Sequence, residues 1–263
     1  MASEKRTSRF RRRMRVAGEA LLIVIAVGML GLWCSVPDTG ALVSENPSST
    51  AFIDLRRDQH AADKKWKLHW QWRSLPHISR YLRAAVVFAE DGNFYTHHGI
   101  DWHAVEDAME RDVTRGALKV GGSTITQQVA KNLYLSPKRS LARKLREMLI
   151  AFSLEDHLSK QRILELYLNI AEWGDGVFGA EAAAQRWFGC SASALTPAQA
   201  ARLAIALPNP IERAPDKSDP MLTKKAVRII RLFRMEGLIR AEAERAALDD
   251  VGATDEKVLP DRL

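Results

Sequence analysis

Ala20–Trp33 is an unbroken run of fourteen apolar or small residues. Taken with its flanks, Val16–Val36 reads as one helix of about 31 Å, long enough to cross a hydrocarbon core of about 30 Å. Beyond it the apolar positions become periodic. Pro37–Ser49 is rich in Pro, Asp, Gly, Asn and Ser and reads as a linker. Phe52–Arg73 is basic and carries Trp66, Trp70 and Trp72; Trp66 and Trp70 are expected on one helical face, either at a bilayer surface or packed on the helical domain beyond Leu75.

From Leu75 on, the spacing is helical almost throughout. Ser79 precedes a run of helix formers ending at Glu90. Ser123 is expected to cap a helix over Thr124–Leu133, and Ser136-Pro137 to open one reaching about His157, with Leu141, Leu145, Met148, Leu149 and Phe152 as its apolar stripe. Thr196-Pro197-Ala198-Gln199 is a capping box, and Asp219-Pro220 opens a helix that Gly237 closes. Strand signals are sparse. The expectation is a mainly α chain: a basic tail (1–15), a transmembrane helix (16–36), a linker or membrane-proximal segment (37–74), a helical domain (75–240) and a C-terminal tail (241–263).

The net charge of +7 does not imply a nucleic-acid partner. Residues 1–15 hold about +6 of it, and the rest is nearly balanced. Such a tail before an apolar helix is topogenic, leaving the N-terminus cytoplasmic and the domain outside. A cleaved signal peptide fits less well, because no Ala-x-Ala site occurs between the apolar run and Pro37. Cys34 and Cys190 make no disulfide framework, and Cys190 reads as a small buried side chain.

Three segments carry candidate chemistry. Glu90-Asp91 closes an apolar helix, where burial and the negative end of the helix dipole raise a carboxylate's pKa towards that of a useful base; solvated helix-end charges fit the same pattern. His97-His98 lacks the i, i+4 spacing of a helical zinc pair. Gly121-Gly122-Ser123-Thr124 offers free amides and hydroxyls at a helix start, suited to phosphate or sugar. In that helix Gln127 and Lys131 share one face, and Gln128 and Asn132 the next. On the following helix Arg139, Arg143 and Glu147 recur at i, i+4, i+8, with Lys144 beside Glu147. Six cations, Lys131, Lys138, Arg139, Arg143, Lys144 and Arg146, outnumber the one acid there, which suits a pyrophosphate, though a solvated salt-bridge face is the ordinary reading.

Glu90–Gly99, Gly121–Asn132, Arg143–Glu147 and Lys160–Asn169 resemble, in order, the motifs of family 51 glycosyltransferases, the peptidoglycan polymerases. Ile170–Gln185 and Leu207–Pro210 resemble the free-standing form. No Ser-x-x-Lys or Lys-Thr-Gly of a transpeptidase appears.

The resemblance implies a lysozyme-like helical fold with a smaller mobile lobe between Asp101 and Gly121, hinged at Gly116 and Gly121-Gly122. It implies polymerisation of lipid II into glycan strands with inversion and release of undecaprenyl pyrophosphate. Glu90 would be the general base. Glu147 would assist the departing pyrophosphate, either through a divalent cation (Mg or Mn) or by orienting neighbouring cations. No organic cofactor is implied. Lys131, Arg139, Arg143 and Lys144 would hold phosphates, and Ser123, Thr124, Gln127, Gln128 and Asn132 would line the sugar and phosphate sites. The implied partners are lipid II, the nascent strand, the bilayer of the bacterial inner membrane, and cell-division or elongation proteins. The remaining rivals are a lysozyme-like hydrolase and a non-enzymatic scaffold.

Overall fold

The computed structural model describes residues 2–115, 122–138, 140–215 and 219–253. Eleven helices run in order among them: α1 (Ala2–Cys34), α2 (Ala51–Gln59), α3 (Arg80–Glu90), α4 (Trp102–Arg115), α5 (Ile125–Tyr134), α6 (Leu141–His157), α7 (Lys160–Ile170), α8 (Ala180–Phe188), α9 (Pro197–Ala206), α10 (Pro220–Met235) and α11 (Ala241–Asp250). Three short strands, β1 (His69–Trp70), β2 (Glu172–Gly174) and β3 (Val177–Phe178), form a small sheet in the order β1-β3-β2. The chain is mainly α, as its patterning predicts.

Met14–Cys34 of α1 is long and apolar enough to cross a membrane, and none of its most apolar stretch is buried against the rest of the chain. Its C-terminal end is tied to the domain where the Arg146 guanidinium donates to the Ser35 carbonyl at 2.9 Å.

The core runs through α3, α5, α7 and α9, from Leu82 and Val86 through Ile125 and Val129 to Ile163, Leu166 and Leu203. Local signals set most helix starts. Ser79 accepts from the Tyr81 amide, Thr196 and Gln199 form the expected capping box, and Asp219 accepts from the Met221 and Leu222 amides. Two starts differ from expectation. Thr124, not Ser123, caps α5, because its hydroxyl accepts from the Gln127 amide while the Gln127 side chain accepts from the Thr124 amide. The α6 helix begins at Leu141 under a Ser140 cap rather than at Ser136-Pro137, although it ends at His157 as expected.

Of the two readings of Phe52–Arg73, packing on the domain is the one the structure shows. Thr50 caps α2, Arg56 grips Glu172 with two bonds of 2.8 and 3.0 Å, and β1 pairs in parallel with β3. The three tryptophans share no helical face. Trp70 donates to the Asn169 carbonyl at 2.8 Å, Trp66 stacks on His60 at 4.8 Å, and Trp72 lies under the Arg162 guanidinium. Gly176, at φ +70°, lets the turn pass beneath Trp66, where a Cβ would sit 2.9 Å from the indole. The expected C-terminal tail likewise begins with a helix, α11, which packs on α9 and α10 through Ala247 and Val251. The expected hinge residues Gly116 and Gly121 lie outside the described residues, as does the end of the tail.

The apolar stripe assigned to α6 faces outward in part, with Met148 and Leu149 half-buried. Leu141, Leu145 and Phe152 are 85, 44 and 37% exposed, whereas Glu147, Ile150, Ala151 and Leu154 are buried. The polar face read as exposed, with Arg143 and Glu147, is the one that turns inward. Hydrophobicity misplaces the helix because its apolar row lies next to the row that meets α1, beside a segment suited to a bilayer rather than to water.

Candidate active site

Three helices carry the site residues. Glu90 is the last residue of α3, so packing of Leu82, Val86 and Val87 fixes where its carboxylate emerges. The next residue, Asp91, is buried and structural. It accepts from the Ile125 amide at 2.9 Å and contacts His97 Nε2 at 3.0 Å, stitching the end of α3 to the start of α5. His97 is thereby paired with a carboxylate.

The Glu90 carboxylate takes its hydrogen bond from a neutral group: Gln128 Nε2 donates to Glu90 Oε2 at 2.7 Å. The amide is oriented from behind, because the Tyr167 hydroxyl donates to Gln128 Oε1 at 3.1 Å. Tyr167 is fully buried, and its pKa is pushed well above the usual phenol range by desolvation and then by the Glu90 and Asp91 charges; the proton it donates therefore stays in place. The residue pattern assigns Tyr167 no role of its own. Its only signal is its place in the Lys160–Asn169 motif.

Desolvation raises the pKa of Glu90 above the ordinary carboxylate value. The Gln128 hydrogen bond opposes this, as do the charges of Lys131 and Arg213, but burial prevails. Arg213, on the loop after α9, escapes a sequence reading because no local pattern links it to the three segments.

Lys131 lies one turn beyond Gln127 on α5 and feels both carboxylates. Desolvation lowers its pKa; Glu147 and Glu90 raise it, and Arg143 and Lys144 lower it. Its ammonium sits 5.6 Å from the Phe52 ring centroid, so α2 supplies the aromatic wall beside it.

Glu147 is surrounded differently. It is only 2% exposed, and both oxygens meet cations: Arg143 Nη1 at 2.7 Å and Lys144 Nζ at 2.5 Å. Lys144 also donates to Ser123 Oγ at 3.0 Å, which draws the segment before α5 onto the cation cluster. Arg143 Nε, buried, has no hydrogen-bond partner among the described residues.

Several expected residues prove to have other work. Thr124 and Gln127 are buried and spend their polar groups on the capping box and on the Gly99 carbonyl, which builds the wall rather than its surface. Asn132 is buried one turn after Gln128. Arg146 is taken by the end of α1. Lys138 is exposed. Arg139 lies outside the described residues.

A single carboxylate with both oxygens held by cations is not the donor set of a resident Mg or Mn ion. Among the described residues, no three His, Cys, Asp or Glu side chains come together as metal ligands.

The geometry therefore sets a desolvated carboxylate with a neutral neighbour at Gln128 of α5, and a carboxylate embedded in cations near Lys131 of the same helix. A base and a station for negative charge are thus brought together, as group transfer from an anionic leaving group requires.

Comparison with known proteins agrees. The family model described as Transglycosylase matches residues 59–235. A biosynthetic peptidoglycan transglycosylase of Aromatoleum aromaticum is 44% identical over 225 residues, covering 82% of this chain and 94% of the relative. Proteins of the same description from Alcanivorax borkumensis and Herminiimonas arsenicoxydans are 47 and 49% identical, over 76 and 65% of this chain and 78 and 74% of theirs. With the family model spanning most of its length, the chain belongs to the transglycosylase family.

Proposed function

We propose that this enzyme polymerises lipid II into peptidoglycan glycan strands, anchored by α1 with its N-terminus in the cytoplasm and its domain on the outer face of the inner membrane. The carrying observation is the pair of unlike carboxylate environments beside Gln128 and Lys131 of α5. Glu90, desolvated and oriented by Gln128, takes the proton from the 4-hydroxyl of the acceptor sugar. The freed oxygen attacks the anomeric carbon of the lipid-linked donor from the side opposite the leaving group, inverting that centre. The C–O bond to the prenyl pyrophosphate breaks, and its electron pair leaves with the phosphate. Lys131, Arg143 and Lys144 meet that charge, while Glu147 holds Arg143 and Lys144 in place.

The basic tail and α1 support the membrane placement, as does the outward stripe of α6, which a bilayer surface tolerates better than water does. The cation cluster separates this reading from a hydrolase, which has no pyrophosphate to release. Purified full-length protein incubated with lipid II is expected to yield glycan polymer and to leave isolated sacculi intact. Solubilised sacculi without polymer would overturn the proposal.

A further inference from the structure

The start of α3, at the opposite end from Glu90, carries two open hollows of ≈ 410 and ≈ 550 Å³. Each lies within the range of about 300–1,000 Å³ typical of small-molecule sites. They meet at Ser193, which lines both. No residue of α1, α5 or α6 lines either one, so they belong neither to the anchor nor to the cation cluster around Glu147. At 1.5 Å per residue, Glu90 lies about 15 Å along the helix from Arg80.

The two hollows repeat one chemistry. The first has Trp72, Arg73, His77 and Ser191; the second has Tyr81, Arg80, Arg83 and Thr196. Each combines an aromatic residue, an arginine and a hydroxyl residue. The one acid on either lining is Glu181, which is buried and fully engaged: it accepts from Arg73, Gln185 and the Ala192 amide. Arg80 is held in place, because it lies 5.0 Å over the Tyr81 ring and donates to the Tyr81 hydroxyl at 3.0 Å. Neither Arg80 nor Arg83 has a carboxylate partner among the described residues. The charge of Arg83 also reaches Tyr95, where it opposes the rise in pKa that desolvation causes. Tyr95 is 56% exposed and lies five residues beyond Glu90, so arginine and aromatic groups continue from the catalytic end of α3 towards the hollows.

A single small anion needs one such hollow. Two in series with like linings fit a ligand that itself repeats, with sugar rings beside the aromatic residues and carboxylates on the arginines. We infer that these hollows form a secondary site for the glycan strand after it has left the catalytic residues, holding successive repeats by their sugars and by the carboxylates of their peptide substituents. The inference rests on the proposed function, which supplies the polymer. Held at a second point, a strand stays near the enzyme between transfers, and its effective concentration at the donor site rises.

Arg80→Glu and Ser193→Trp in the full-length enzyme test this, with Arg80→Lys as the conservative variant. Both positions are exposed, so thermal unfolding should be unchanged. The probe is purified, uncrosslinked glycan strand bearing its peptides, titrated by calorimetry. Its affinity is expected to fall about tenfold or more in Arg80→Glu and in Ser193→Trp, and to be largely kept in Arg80→Lys. Strand stripped of its peptides should bind the wild type and Arg80→Glu alike. The initial rate of lipid II consumption should stay at the wild-type value in both variants, while the strands they make become shorter. Wild-type strand affinity and strand length in both variants would overturn the inference. Poly-glutamate binding the wild type as tightly as the strand does would overturn it too, and would make the hollows a docking site for an acidic protein segment. A wild type that makes no polymer, yet binds strand in a manner that Arg80→Glu weakens, would instead defeat the proposed function and leave the secondary site standing.

Discussion

The surroundings of Glu90 and Glu147 show how one fold gives two carboxylates different work. Glu90 ends α3, which packs on α9 and α10, and Glu147 lies on α6, which packs on α5; side chains of α5 reach both. Glu90 accepts from a neutral amide, and burial prevails over that bond and over more distant cations, so its proton affinity rises. Glu147 is deeply buried too, yet it is matched by a guanidinium and an ammonium in direct contact. Burial alone does not decide a carboxylate's role; the charge of the atoms touching it does. The first is fitted to move a proton, the second to keep cations arrayed where negative charge departs.

Exchanging either carboxylate for its amide should break the comparison most severely. Glu90→Gln leaves size and packing but removes the base, and kcat for lipid II polymerisation should fall by about 10²–10⁴. Farnesyl pyrophosphate binding, measured by calorimetry, should be largely retained. Glu147→Gln should lower kcat by about 10²–10³. Here farnesyl pyrophosphate affinity should change too, because Arg143 and Lys144 lose the group that positions them. An affinity unchanged in Glu147→Gln would show that the cations are ordered without it.

Smaller effects sharpen the account. Gln128→Ala removes a donor that favours the charged form of Glu90, so the Glu90 pKa should rise further. Turnover should then fall about tenfold at acidic pH and recover as the pH increases, since a hydrogen bond to a charged group contributes about 1.5–3 kcal/mol. A loss equal at every pH would mean that Gln128 acts on substrate binding instead. Tyr167→Phe should act in the same direction more weakly, costing about 1 kcal/mol of stability in denaturant unfolding. The Tyr167 hydroxyl acts only through Gln128, so the double variant Gln128→Ala, Tyr167→Phe should have the pH profile of Gln128→Ala alone.

Much of this arrangement is legible in the residue pattern. Helix starts at Ser79, Thr196 and Asp219 arise from side-chain oxygens that can satisfy free amides, a local matter that a sequence displays. Glu90 stands out because an apolar helix ends on it. The α6 helix defeats the pattern for a physical reason. Leu141, Leu145 and Phe152 face outward, while Glu147 is buried in line with Ile150, Ala151 and Leu154, so Leu145 resembles core and Glu147 resembles surface. Phe52 to Arg73 defeats it because its partners, Asn169, Glu172 and Glu181, lie about a hundred positions away, beyond any local signal. Tyr167 and Arg213 are hidden on the same account: their bearing on Glu90 exists only once α7 has packed on α5 and the loop beyond α9 has come near α3.

The most direct test of the central claim is the pH dependence of kcat/KM for lipid II polymerisation in the wild type, Gln128→Ala and Glu147→Gln. The account predicts an acid limb above the ordinary carboxylate range, moved upward in Gln128→Ala and left in place in Glu147→Gln. A limb within the ordinary range, or one that moves in Glu147→Gln but not in Gln128→Ala, would contradict it.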